Sequence, residues 1–186
     1  MYNTYVKSIT KYVEKTGPEG LAHVAYCVIG TIRTRFIHVE EITHSIKKQG
    51  EASKHVWGHK IDAYQTINDN KEKWFELLFK NRLDEVNSIN LVAETKGIGI
   101  AKAGFLLQML GYNTACLDVH NLNKLGISDT YFRNNKRTQE YVTLVQKQGA
   151  EYWWNTWCNF IAEKDGKKWF GSSEEVSKSH VTAIKG

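Results

Sequence analysis

Apolar residues along the chain recur at intervals of three and four rather than in alternation: Leu21, Val24, Ala25, Val28 and Ile29, then Trp74, Leu77 and Leu78, then Phe105, Leu106, Met109 and Leu110. That spacing gathers them on one face of an α-helix. A single proline, Pro18, and no Asn-Gly or Asp-Gly turn between alternating apolar runs argue against a β-rich fold. Breaks at Gly17-Pro18, Gly50, Gly58, Asn68-Asp69-Asn70, Gly97-Ile98-Gly99, Gly111, Gly126, Gly149 and Asp165-Gly166 divide the chain into segments of ordinary helix length, and about ten helices fit. Ser172 followed by Glu175 predicts a capping box opening a last helix through Val176, His180, Val181 and Ile184. The pattern predicts an all-α fold.

Composition adds limits. With 186 residues, 41% of them hydrophobic and 24% charged, the chain can bury a sizeable core and lacks the signature of disorder. A net charge of +5 and a pI near 9.0 are consistent with a polyanionic partner, though they do not require one. Cys27, Cys116 and Cys158 are odd in number and widely spaced, so the sequence predicts neither a disulfide framework nor a metal or iron–sulfur cluster. With no bilayer-length apolar run and no leader-like start, the expectation is a soluble, intracellular protein without membrane association.

The chemistry concentrates between Ser88 and Gly126. A short helix is predicted to end near Glu94, Gly97-Ile98-Gly99 to form a tight turn, and a new helix to run from Ile100 to Leu110. A helix start of this kind presents unpaired amides that suit phosphate. Ile98 can anchor the turn in the core, while Lys96 and Lys102 flank it with positive charge. After the Gly111-Tyr112-Asn113 turn comes the apolar stretch Ala115-Cys116-Leu117, and then Asp118-Val119-His120 opening another helix that ends near Leu125-Gly126. Asp118 reads as a helix N-cap, a role compatible with catalysis, because the first-turn amides that donate to it also stabilise its negative charge.

This run resembles the helix-hairpin-helix DNA glycosylase superfamily of endonuclease III, adenine glycosylase and 8-oxoguanine glycosylase. Those proteins place a Gly-hydrophobic-Gly hairpin, a helix, a short loop, and Val-Asp-Thr-His or Val-Asp-Val-His in the same order; here the string is Leu117-Asp118-Val119-His120. The resemblance covers roughly a fifth of the chain. It implies an enzyme that extrudes a damaged or modified nucleotide from double-stranded DNA and cleaves its N-glycosidic bond, with Asp118 as the catalytic carboxylate. It further implies DNA contacts from Lys96, Gly97, Ile98, Gly99, Ala101, Lys102 and His120, and in some members a monovalent cation on the hairpin carbonyls. The implied form is two lobes within one compact unit, about 30–126 carrying the hairpin and about 1–29 with 127–186 forming the other, acting as a monomer with DNA in the cleft.

Three departures shape the expectation. Bifunctional members carry a lysine where this chain has Ala101; Lys102, one residue on, lies about 100° around an ideal helix and is expected to face elsewhere. The reading is therefore a monofunctional glycosylase, with Lys102 as a phosphate contact or solvated lysine ahead of a Schiff-base amine, and AP-lyase activity the lesser alternative. Lys96 replaces the usual proline before the hairpin, and no four-cysteine cluster follows Asp118. Two further alternatives fit the same scaffold: a transferase acting on hypermodified thymine in viral DNA, and a non-catalytic DNA-binding module. A helical interaction protein unrelated to nucleic acid is the third.

Other residues carry less. His55 and His59 have helical spacing but lack the glutamate of zinc peptidases, so no metal site is predicted. Trp57, His59 and Tyr64 are candidates for stacking on an extruded base. Trp153, Trp157 and Phe160 share a helical face and read as core, beside Tyr152 and Trp154. Arg33, Arg35, Lys47 and Lys48 fit either phosphates or a solvated surface.

Overall fold

The computed structural model describes residues 1–32, 34–48, 58–133, 137–163 and 170–186, and the backbone alone of His59. Among them the chain is all-helical, with ten α-helices and no strand. They are α1 (Tyr2–Thr16), α2 (Pro18–Gly30), α3 (Val39–Lys47), α4 (Gly58–Trp74), α5 (Glu85–Ala93), α6 (Ile100–Met109), α7 (Val119–Lys124), α8 (Thr138–Gln146), α9 (Ala150–Glu163) and α10 (Ser173–Lys185). A 3₁₀ turn, Phe36–His38, leads into α3, and a π turn, Phe75–Lys80, extends α4.

Local signals set the boundaries. Gly17, at φ 66°, separates α1 from α2, which then opens on Pro18, whose missing amide costs nothing in a first turn. Asp84 caps α5 by accepting from the Asn87 amide, and Ser172 caps α10 by accepting from the Glu175 amide. Glu175 reaches back to the Gly171 amide, so the predicted capping box forms with its return bond shifted one residue outward.

The core follows from helix composition. α1 buries a stripe, Tyr2, Tyr5, Ile9 and Val13, whereas α2 is buried on nearly every side from Gly20 to Gly30. It can be, because α1, α3, α4, α6 and α10 all pack around it. α5 packs on α6 and α8, so helices of the middle segment share interfaces with those of the chain ends. The buried apolar side chains form one continuous cluster.

The C-terminus of α6 is closed by Arg82, a non-glycine residue at φ 50°. That conformation costs about 1–2 kcal/mol. It aims the guanidinium at the carbonyls of Leu110 and Gly111, at 3.2 Å each, and over the Tyr112 ring. A cation on the last carbonyls of a helix offsets the dipole. No described helix is long and apolar enough to cross a membrane.

Candidate functional site

α5 and α6 are joined by the turn predicted from sequence. Gly97 takes φ 88°, a conformation in which a side chain would be strained, and Ile98 is buried while both glycines are exposed. The Ile98 amide donates to the Thr95 carbonyl, and the Gly99 carbonyl accepts from Lys102 and Ala103. The amides of Ile100 and Ala101 precede the first internal bond of α6. Lys96 lies at the surface in an ion pair with Asp62 at 2.7 Å, which raises its pKa.

The loop leading to Asp118 is buried from Thr114 to Leu117 and pinned from three sides. Tyr141 of α8 donates to the Ala115 carbonyl at 2.6 Å and accepts from the Leu117 amide at 2.9 Å. The Asn121 side-chain amide donates to the Cys116 carbonyl at 2.9 Å. From below, Gly104 of α6 lets the loop come so close that a Cβ there would lie 2.4 Å from the Ala115 oxygen.

So held, Asp118 caps α7, its Oδ1 accepting from the amides of His120 and Asn121 at 3.1 Å each. Both bonds fall on Oδ1, so Oδ2 has no hydrogen bond among the described residues. Asp118 lines a pocket of about 400 Å³ together with Lys102, His120, Thr31, Thr34, Arg35, Phe36, Val39, Trp157 and Phe160. A larger concavity elsewhere among the described residues, about 580 Å³ between Gly126 and Lys147, holds none of these side chains. The smaller pocket is the better candidate, since chemistry needs convergent polar groups more than volume.

Its far wall is aromatic. Trp157 of α9 stands edge-on to Phe36 at 5.3 Å, and Phe160 lies 4.4 Å from the His120 ring. Behind that wall His180 is wholly buried, its Nδ1 2.7 Å from the Tyr5 hydroxyl. Burial, and after it the charge of Lys102, lowers its pKa to about 3. Cys116, under the Asp118 loop, is raised by burial to about 11, and the nearby charges of Lys102 and Asp118 act on it in opposite senses.

The expectation that Lys102 faces away from Asp118 is corrected here. Its ammonium bonds the Thr31 hydroxyl at 3.0 Å and lines the same pocket. Lys102 lies about 100° around the helix from Ala101, and its flexible four-carbon stem sets the ammonium on Thr31 of the neighbouring helix end. Ala101 is half-buried against the core. Tyr64 packs on Tyr26 at 5.1 Å and does not line the pocket. Trp57, His55 and Arg33 lie outside the described residues, as does the side chain of His59.

Sequence reasoning missed Thr31, Thr34, Phe36 and Val39 as pocket residues, and it assigned Trp157 and Phe160 to the core alone. Trp157 is in fact both, 8% exposed and lining the cavity. The segment around Arg35 breaks helical periodicity between α2 and α3, the one signal that could have flagged it. Set against known protein families, characterised proteins and solved structures, the chain matches none.

Proposed function

We propose that the protein is a DNA N-glycosylase, in which an extruded nucleotide enters the pocket beside Asp118. The observation that carries the reading is the convergence of Asp118, Lys102 and His120 with an aromatic wall around one cavity; Lys102 follows closely on a glycine turn whose amides suit phosphate. A planar base stacks against Trp157 and Phe160. Asp118 Oδ2 takes the proton of an attacking water while the carboxylate offsets the positive charge that grows on the sugar. The new bond joins the water oxygen to C1′; the C1′–N bond breaks, and its electron pair leaves with the base, which takes up a proton. The partner is double-stranded DNA, with Lys96, Gly97, Gly99 and Lys102 on its phosphates.

The pocket position of Lys102 favours a second reading, in which its amine attacks C1′ and the enzyme goes on to cleave the strand. One assay tests both. The protein is incubated with duplexes carrying uracil, 8-oxoguanine, thymine glycol, alkylated purines, mismatches or 5-hydroxymethyluracil, and strands are resolved with and without hot alkali. Breaks only after alkali support hydrolysis. Breaks without alkali, with a borohydride adduct lost in Lys102→Ala, support the lyase. Salt-dependent binding with no strand breaks on any substrate overturns both in favour of a non-catalytic module or a transferase.

A further inference from the structure

Breaking a glycosidic bond sends an electron pair out with the base, and a neutral pyrimidine or purine then leaves as an anion unless a proton donor meets it. Most donors in the pocket are already spent. Thr31 gives its hydroxyl proton to the Val28 carbonyl at 2.6 Å, and Thr34 gives its own to the Ile32 carbonyl at 3.0 Å. The Lys102 ammonium is held on the Thr31 hydroxyl, and an alkylammonium is a weaker acid than an imidazolium. Arg35 carries a guanidinium, which does not release its proton in a protein. Asp118 is assigned to the attacking water. His120 is left. It lines the same cavity, and among the described residues neither of its ring nitrogens makes a hydrogen bond. Its ring lies 4.4 Å from that of Phe160, tilted by 34°, which sets the imidazole beside the aromatic wall.

We propose that His120 is the general acid of the reaction, giving a proton to the leaving base, and that the substrates are neutral bases that would otherwise depart as anions. The inference rests on the glycosylase reading. A cationic N-alkylated purine leaves as a neutral molecule and has no use for such a donor. As the C1′–N bond breaks, its electron pair goes to the base, which takes the proton from one imidazole nitrogen. The electron pair of that N–H bond stays on the ring, which becomes neutral. Asp118 meanwhile holds the proton of the attacking water. His120 is exposed, so solvent returns a proton from the carboxylate to the ring and no outside reactant is consumed. The charged groups that share the cavity are Asp118 at the start of the same helix, Lys102 of α6 and Arg35 of the α2–α3 connection, with Lys124 one turn on along α7. Among the described residues α9 contributes Trp157, Phe160 and Ile161.

The test measures single-turnover excision by the full chain on duplexes carrying uracil, 5-hydroxymethyluracil, thymine glycol, 8-oxoguanine, mismatched adenine or 7-methylguanine, with hot alkali to reveal abasic sites. At least one neutral base is expected to be excised, and its rate to fall about a hundredfold or more in His120→Gln and in His120→Phe. The first variant keeps a hydrogen-bonding side chain and the second keeps a ring against Phe160, so a loss shared by both points to the proton. Both substitutions fall at an exposed position, and circular dichroism checks that each variant folds. In the parent the rate should fall as pH rises through about 5–8, where imidazoles give up their charge, and this limb should be missing in both variants. Rates and pH profiles unchanged in both variants overturn the proposal and leave the glycosylase standing. So does excision confined to 7-methylguanine. A loss in both variants that keeps the alkaline limb makes His120 a contact and not an acid, which also overturns it. Excision of no base at all overturns the glycosylase reading, and the acid falls with it.

Discussion

Gly104 of α6 and Ala115 of the following loop approach so closely that a Cβ on the glycine would stand 2.4 Å from the Ala115 carbonyl oxygen. No side chain can occupy that space without moving the backbone. Asp118 lies three residues beyond Ala115, so the closeness of this contact sets where the carboxylate sits.

Gly104→Ala is therefore expected to cost about 1–3 kcal/mol, the usual penalty of overpacking a buried contact, despite alanine's better helix propensity. For a chain of this length that is a melting-temperature drop of roughly 3–10 °C, measurable by circular dichroism. Turnover of a cleavable duplex should fall as well. A variant as stable as the parent would show that the loop yields.

Tyr141→Phe removes one hydroxyl and leaves two buried backbone groups, the Ala115 carbonyl and the Leu117 amide, without their partner. Unmade buried hydrogen bonds cost about 1–3 kcal/mol each, so a loss of about 2–6 kcal/mol is expected in urea unfolding. A change under about 0.5 kcal/mol would contradict the pinning role.

Substitution separates the cap that Asp118 forms from the catalytic role proposed for it. In Asp118→Asn the new side chain keeps an oxygen for the His120 and Asn121 amides, so stability should stay within about 0.5 kcal/mol while excision falls by about a hundredfold or more. Asp118→Ala loses the cap too, at about 1 kcal/mol. If Asp118→Asn retains full excision activity, the carboxylate is a cap and nothing else.

His180 links stability to pH. It is held at about 3 in the folded chain against 6.5 when unfolded. As pH falls below 6.5 the unfolded chain gains the proton first, so stability present above 6.5 is lost progressively down to about 3, at about 1.4 kcal/mol per pH unit. His23, lowered to about 4 by burial and then by Lys47, adds to the same slope. Urea midpoints between about pH 7 and about pH 4.5 should fall steeply in the parent and less steeply in His180→Phe. Parallel slopes would show that other groups dominate.

What the sequence by itself determined is what acts over a few residues. The apolar stripe of α1, the Gly97 turn, the start of α6 and the caps at Asp84, Asp118 and Ser172 all rest on i to i+3 or i+4 relations, which a chain carries in its order. The pocket rests on no such relation. Thr31, Thr34 and Phe36 meet Lys102, Asp118 and Trp157 across long stretches of chain because α2, α6 and α9 pack around a shared core. By pattern Trp157 cannot be told from Trp154, three residues earlier and fully buried; only the packing of its neighbours opens one of them to a cavity. Lys102 looks misplaced beside Ala101 when helix angle alone is counted, yet its long stem brings the ammonium to Thr31. Helix ends were settled by local hydrogen bonds, and the site was settled by which helices could close around α2.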